Sequence, residues 1–135
     1  MVDAYCLDTV FLIDLLKHNL QAGEVAKEIS GGYLCTTQLN VYELLVGFYA
    51  TGSQDIGHLI EQARVLLDRL TILPLNDQAL QRSAQVGGFL CRKGQKIEHM
   101  DCLIAGTLLE HGCTTIITRN VADFKRIPGL KVKTY

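Results

Sequence analysis

The apolar and polar positions along the chain follow two different patterns. Short runs in which almost every residue is apolar or β-branched predict buried strands, and stretches with apolar residues three or four apart predict helices. The predicted strands are 4–7, 33–36, 71–75, 114–118 and 130–133. The predicted helices are 9–18, 24–29, 37–49, 55–70, a helix between Asn76 and Gly94, 98–111 and the helical turn 121–125.

This alternation of strands with helices predicts an α/β fold with a parallel sheet. Because the strands are apolar throughout, we expect helices on both faces, which makes a three-layer α/β/α sandwich with a sheet of about five strands. The length of 135 residues fits one domain, 1–135. In such sheets ligands bind outside the carboxyl ends of the strands, at a topological switch point. Polar residues that directly follow a strand are therefore the candidates for a site.

Asp8 is a carboxylate without a local partner. It directly follows the strand 4–7, inside the apolar stretch YCLDTVFLIDLL. Asp14, in the same stretch, has Lys17 and His18 one turn further along, and we expect it to pair with them. Asp8 has no such neighbour, and an unpaired buried carboxylate is strongly unfavourable. Its position predicts a ligand site at the end of this strand.

Two further acids stand alone in apolar helices. Glu43 is the only charged residue within 29–54, and Asp101 opens the apolar run DCLIAGTLL. The alternative for Glu43 is a solvated side chain on a polar stripe with Asn40 and Gly47. The alternative for Asp101 is a first-turn acid that favours the helix dipole by about 0.3–1 kcal/mol. The sequence alone does not decide between these alternatives and a role in a ligand site for either acid.

Asn120 and Asp123 occupy the loop beyond the strand 114–118, at the same edge of the sheet as Asp8. Asn120 is also suited to cap the helical turn 121–125. Asp123 can equally pair with a neighbouring cation of that turn. If these acids converge on one crevice they repel one another unless a cation is bound, and Mg²⁺ or Mn²⁺ suits carboxylates completed by waters. When a phosphodiester is cleaved by displacement at phosphorus, two such ions would bind the attacking oxygen and the leaving oxygen.

Composition limits the classes of function. The net charge is −1, which indicates neither a general nucleic-acid binder nor a membrane-surface protein, so any bound RNA needs a local patch or metal ions. We expect no membrane partner, because no apolar run approaches the ~20 residues of a membrane span. The N-terminus does not resemble a signal peptide. The five cysteines contain no Cys-x-x-Cys pair and are never closer than ten residues. We interpret them as buried thiols of a cytoplasmic protein.

Four motifs in this order resemble the PIN-domain family, and more narrowly its VapC-type toxin ribonucleases. They are LDT near the N-terminus, the lone Glu43, the run DCLIAGTLLEHG opened by Asp101, and TRNVADFKRIPGLKV near the end. The resemblance implies a PIN-like sheet in the order 3-2-1-4-5. It places catalytic and metal-binding roles on Asp8, Glu43 and Asp101, with Asn120 and Asp123 as further metal ligands. Many members have an aspartate where this chain has Asn120, which leaves the second metal site open.

The resemblance implies an endoribonuclease that depends on Mg²⁺ or Mn²⁺ and cleaves RNA phosphodiesters by metal-activated water. Thr9 and Thr118 match supporting positions, although both are also ordinary cap and strand residues. Arg119, Lys125 and Arg126 are candidates for RNA phosphates, and Arg92, Lys93 and Lys96 are weaker ones. The four histidines are expected at the surface, with His99 near the rim of the pocket.

The implied partners are an RNA substrate, a protein antitoxin and a second copy of the chain in a homodimer. The apolar helices 39–49 and 55–70 offer surface for either protein contact. The alternative function is a catalytically inactive PIN-fold module that binds RNA or protein. A receiver domain and a haloacid-dehalogenase-like phosphatase fit less well, because the strand 71–75 runs into Pro74 and no Asp-x-Asp follows the first strand.

Overall fold

Five parallel strands form one sheet in the order β3-β2-β1-β4-β5. The computed structural model describes residues 2–135. The strands are β1 Ala4–Leu7, β2 Tyr33–Thr37, β3 Thr71–Leu73, β4 Thr115–Ile117 and β5 Lys131–Lys133. The helices are α1 Thr9–Leu16, α2 Leu20–Glu28, α3 Gln38–Ala50, α4 Ile56–Leu67, α5 Asp77–Arg92, α6 His99–Glu110 and α7 Val121–Phe124. This order and these layers confirm the predicted fold class.

The two faces of the sheet carry separate apolar cores. Cys6 and Leu7 are consecutive in β1 and point to opposite faces, as strand geometry requires. The Cys6 side packs against α5, α6 and α7 through residues such as Leu90 and Ile104. The Leu7 side packs against α1 to α4, with Phe11 fully buried. Because β1 is the central strand and both faces are covered, the end of β1 lies at the switch point where chain crossovers diverge.

Several predicted boundaries were wrong: the helix predicted at 55–70 ends earlier, at Leu67, and three others have a clear local reason. The helix predicted at 24–29 begins at Leu20, because the Asn19 side chain accepts a hydrogen bond from the Ala22 backbone N–H and caps it. The first helix ends at Leu16, and His18 has a positive φ of 57° that no helix continues through. The third strand ends before Pro74, which has no N–H to donate to a sheet.

Helices α5 and α6 approach each other at Gly106. A Cβ atom added to Gly106 would overlap the backbone and hydroxyl of Ser83, so only glycine permits this approach. Ser83 Oγ donates to the Ala79 carbonyl at 2.7 Å, which keeps the hydroxyl satisfied inside the contact. The close packing holds α6 against α5, and Asp101 lies in the first turn of α6.

The cysteines are free thiols, and the prediction that they are buried is confirmed for Cys6, Cys35, Cys102 and Cys113. The prediction was wrong for Cys91, which is exposed. Among residues 2–135, no helix combines the length and the apolar character needed to cross a membrane.

Candidate active site

Asp8 occupies the carboxyl end of β1 and is only 6% exposed. Its Oδ1 accepts a hydrogen bond from Asn40 Nδ2 at 2.9 Å, and its Oδ2 accepts one from Thr118 Oγ1 at 2.5 Å. Burial raises the pKa of Asp8, and the hydrogen bonds from Thr118, the Thr9 backbone and Asn40 partly oppose that rise. Asp8 is therefore held by neutral donors rather than by a cation.

Asn40 links Asp8 to Glu43. Its Nδ2 also lies 3.1 Å from Thr9 Oγ1, and that hydroxyl donates to Glu43 Oε1 at 2.7 Å. Burial raises the pKa of Glu43, and the negative charge of Asp8 adds to the rise. The solvated-stripe interpretation of Glu43 is therefore wrong, because its carboxylate is half-buried and accepts a hydrogen bond from Thr9, which Asn40 links to Asp8.

Sequence reasoning missed the role of Asn40. The residue is fully buried and stands at the third position of α3, where it forms a reciprocal capping box with Thr37. Its carbonyl oxygen accepts from the Thr37 hydroxyl at 2.7 Å, so its amide is left free to donate to Asp8. The available signal was an amide in an apolar helix, one turn before the lone Glu43 and three residues after a threonine cap.

Asp101 meets the loop after β4 from the other side of the site. Asn120 Nδ2 donates to Asp101 Oδ2 at 2.9 Å, and the Asn120 backbone N–H donates to Thr118 Oγ1 at 2.9 Å. The Asn120 side chain makes no capping bond to α7, so the capping alternative is wrong. Burial raises the pKa of Asp101 to about 7, with further increases from the neighbouring Asp123 carboxyl and the Asp8 charge.

The structure thus brings most of the predicted site residues into one connected network. It runs from Glu43 through Thr9, Asn40, Asp8, Thr118 and Asn120 to Asp101, with Asp123 beside Asp101. Residues from α1, α3, α6 and the β4–α7 loop contribute, although they are far apart in the chain. The pKa values of Asp8, Glu43 and Asp101 are all raised, chiefly because burial penalises the charged form, and for Glu43 and Asp101 also because of neighbouring acids.

The donor set matches a hard divalent cation in chemistry. Carboxylate and amide oxygens dominate, and among the described residues no Lys or Arg pairs with Asp8, Glu43 or Asp101. Within 2–135, however, no three His, Cys, Asp or Glu side chains are placed so that together they could hold an ion. Hydroxyl and amide groups stand between the carboxylates, which are therefore linked through these groups and do not meet at one point.

The predicted RNA-binding cations have different surroundings. Arg119 Nε lies 3.5 Å from Asp14 Oδ2, and its guanidinium stacks 4.6 Å from the centre of the Tyr135 ring. Tyr135 also donates its hydroxyl to Asp14 at 2.5 Å. The predicted pairing of Asp14 with Lys17 or His18 was therefore wrong, because Asp14 faces a cluster from the far end of the chain.

Lys125 and Arg126 are exposed beside the site, and neither pairs with Asp123 within 4 Å in the part of the chain described. All four histidines are exposed, as expected. His99 lines an open cavity together with Asp123, the acid beside Asp101.

The raised pKa of Asp101 predicts how metal-free stability changes with pH. The carboxyl titrates near 7 in the folded protein and near 3.8 in the unfolded chain, so between these values the folded state binds the extra proton. Lowering the pH through this window therefore stabilises the fold. In EDTA, the Tm of the wild type should rise relative to that of Asp101→Asn as the pH falls from about 8 to about 5. A relative fall of the wild-type Tm on acidification would contradict the burial of this carboxyl among acids.

The fold and the network define an α/β domain with an acidic crevice at the switch point of a parallel sheet. The sequence model described as PIN domain matches residues 5–130. Since this match covers nearly the whole chain, the protein belongs to the PIN-domain family.

Individual relatives agree with this assignment. A Salmonella typhimurium protein named tRNA(fMet)-specific endonuclease VapC is 24% identical over 131 residues, which is 97% of each chain. A chain in the crystal structure of DNA-bound VapBC from Salmonella typhimurium superposes with a TM-score of 0.84 at 25% identity, covering 99% of this chain and 98% of that one. A chain of VapBC2 from Rickettsia felis, bound to a promoter DNA fragment, gives a TM-score of 0.85 at 22% identity and covers 98% of both chains. The resemblance to VapC-type proteins predicted from the motifs is confirmed.

Proposed function

We propose that this protein is a VapC-type endoribonuclease, the toxin of a toxin–antitoxin pair, and that it cleaves RNA phosphodiester bonds with Mg²⁺ or Mn²⁺. The endoribonuclease and toxin assignments are supported by relatives named as VapC nucleases and by VapBC structural neighbours. PIN-domain nucleases generally depend on a divalent metal. The observation that carries the catalytic part is the network joining Asp8, Glu43 and Asp101 with no cationic partner among them.

Each residue of the network has a role in the proposed mechanism. Asp8, Glu43 and Asp101 supply the ligand carboxylates, and Asn120 and Asp123 supply further oxygens. Asn40 and Thr118 fix the two oxygens of Asp8, so that carboxylate keeps one orientation. Thr9 holds Glu43 in the same way. When bound, Mg²⁺ or Mn²⁺ would supply Lewis-acid polarisation of the phosphate and would acidify a water for in-line attack.

The proposed partners match exposed surfaces. Tyr42, Val46 and Tyr49 lie at helical spacing along α3 and are 59%, 46% and 66% exposed. Val65 of α4 is also exposed, and it lines an apolar groove with the end of α1. These surfaces support a protein antitoxin and a homodimer as partners. Lys125 and Arg126 are free to meet RNA phosphates, whereas the Arg119 guanidinium already has protein partners.

The second candidate is a PIN-fold binding module without catalytic activity. The observation that favours it is that the carboxylates are separated by hydroxyl and amide groups and are not already gathered around one point. The two candidates differ in metal binding as well as in cleavage, so both properties have to be measured.

The test incubates the purified protein with an RNA panel that includes tRNA(fMet), the RNA in the name of the Salmonella relative. We expect cleavage with Mg²⁺ or Mn²⁺, none in EDTA, and products with 5′-phosphate and 3′-hydroxyl ends, because water attacks and the 3′-oxygen leaves. Calorimetry should show heat on Mn²⁺ addition. Metal-independent cleavage with 2′,3′-cyclic phosphate ends would contradict the mechanism. Metal binding without cleavage of any RNA would favour the binding module.

A further inference from the structure

The cations of the chain are unevenly distributed. Of thirteen Lys and Arg residues, five lie in two short segments, 92–96 and 125–126. Elsewhere, Arg64, Arg82, Arg119 and Lys133 form ion pairs with acids; Lys17, Lys27, Arg69 and Lys131 form none among residues 2–135, but they are scattered along the chain. Within the described residues, none of the five clustered cations has an acidic partner within 4 Å. Unpaired like charges repel, so such a cluster suits an anionic ligand.

The two segments adjoin in space next to the acidic network. Arg126 Nη1 lies 3.4 Å from the Lys96 carbonyl oxygen, which joins the end of α7 to the α5–α6 loop. Lys96, Glu98, His99 and Asp123 are among the residues that line an open cavity of about 330 Å³. Asp123 is the acid that neighbours Asp101 in the site. The cavity therefore reaches the network at Asp123, and we call it the Lys96 pocket.

Arg119, which directly follows Thr118, is the alternative cation for the same ligand. Its guanidinium already contacts the Asp14 carboxylate and the Tyr135 ring. A phosphate at Arg119 would therefore compete with these two protein groups for the guanidinium. By contrast, Lys96 lines the Lys96 pocket and Arg126 adjoins it; both residues are exposed, and neither has an acidic partner within 4 Å among residues 2–135.

We propose that single-stranded RNA leaves the acidic site through the Lys96 pocket, where Lys96 and Arg126 bind a phosphate next to the one that is cleaved. This inference rests on the proposed function, since it takes RNA as the substrate. A guanidinium grips phosphate oxygens through paired N–H donors and an ammonium adds a point charge. The exposed imidazole of His99 lies in the same pocket and offers a surface on which an unpaired base can stack.

The test measures binding of a labelled single-stranded RNA to Lys96→Ala/Arg126→Ala in EDTA by fluorescence anisotropy. We expect the Kd to rise about tenfold, because two exposed positive charges that face the phosphate are removed. The slope of log Kd against log salt should fall by about 1.4, or about 0.7 for each positive charge that no longer neutralises the RNA backbone. In cleavage assays the KM should rise and kcat should stay close to that of the wild type, since neither side chain belongs to the carboxylate network.

The matched control is Lys27→Ala/Lys131→Ala, which removes the same charge at the opposite edge of the sheet. Lys131 opens β5 and Lys27 lies in the last turn of α2, so both are at the amino ends of strands. Equal effects of the two double variants on Kd would overturn the proposal, because binding would then follow net charge alone. A larger Kd increase in Arg119→Ala than in Lys96→Ala/Arg126→Ala would also overturn it.

The same binding and cleavage measurements distinguish a failure of the Lys96 pocket from a failure of the proposed function. If the wild type binds RNA through Lys96 and Arg126 but never cleaves it with metal, the pocket stands and the nuclease assignment fails. If the wild type cleaves RNA and the pocket variants bind and cleave like the control, the nuclease assignment stands and the pocket fails.

Discussion

Asp101→Asn is expected to lower the metal-dependent cleavage rate by about 10³-fold, the scale of losing one strong electrostatic group from an active site. The substitution removes a ligand charge and keeps the size of the side chain. The Asn120 amide that donates to Asp101 Oδ2 at 2.9 Å still has a carbonyl oxygen to meet. At about pH 8 and without metal, the variant should be as stable as the wild type or more stable, because one charge leaves a repulsive cluster.

The control for Asp101→Asn is Asp77→Asn. Both aspartates lie in the first turn of their helices, but Asp77 is exposed and away from the acidic network. Asp77→Asn should lose about 0.3–1 kcal/mol of helix-dipole stabilisation and leave kcat unchanged. If Asp101→Asn instead lowers the metal-free Tm as Asp77→Asn does and retains activity, Asp101 is only a helix-start acid. Cleavage rates at saturating Mn²⁺ and Tm values in EDTA show whether Asp101 is a metal ligand or only a helix-start acid.

The position of the site could be predicted because its signals are local. Asp8 follows an apolar strand, and Glu43 and Asp101 each stand alone in an apolar helix. These patterns mark buried or half-buried acids whatever their partners are. The strand order came from resemblance to a family, since apolar runs show that strands pair in a sheet but not which of them are neighbours.

The partners of individual side chains could not be predicted in the same way. Asp14 had a lysine and a histidine within one helical turn, yet it bonds to Tyr135, 121 residues away. Local spacing indicates which contacts are possible, whereas the packing of α1 against the chain end decides which are made. Asn40 was missed for the same reason, because its side-chain amide donates to Asp8, which lies 32 positions earlier in the chain. Both residues act through contacts that exist only once the sheet is assembled.

Asn40→Ala is expected to lower the free energy of unfolding by about 3 kcal/mol, the sum of a hydrogen bond to a carboxylate and the stabilisation from a helix cap. The amide donates to Asp8 Oδ1 at 2.9 Å, and its oxygen accepts from Thr37 at 2.7 Å. Without the Asn40 amide, Asp8 stays buried and its Oδ1 loses a hydrogen-bond donor. Because Asn40 orients a ligand without being one, Mn²⁺ affinity should fall about tenfold or more, as when the support of a metal ligand is removed.

Asn76→Ala separates this effect from simple loss of a cap. Asn76 accepts from the Ala79 backbone N–H at 2.9 Å and is exposed, so its removal should cost about 1 kcal/mol and leave Mn²⁺ binding unchanged. Urea unfolding in EDTA gives the stabilities and calorimetry gives the Mn²⁺ affinities. If Asn40→Ala costs no more than Asn76→Ala, the buried amide does not support Asp8. If the cost is larger but Mn²⁺ affinity is unchanged, Asn40 stabilises the fold without preparing the metal site.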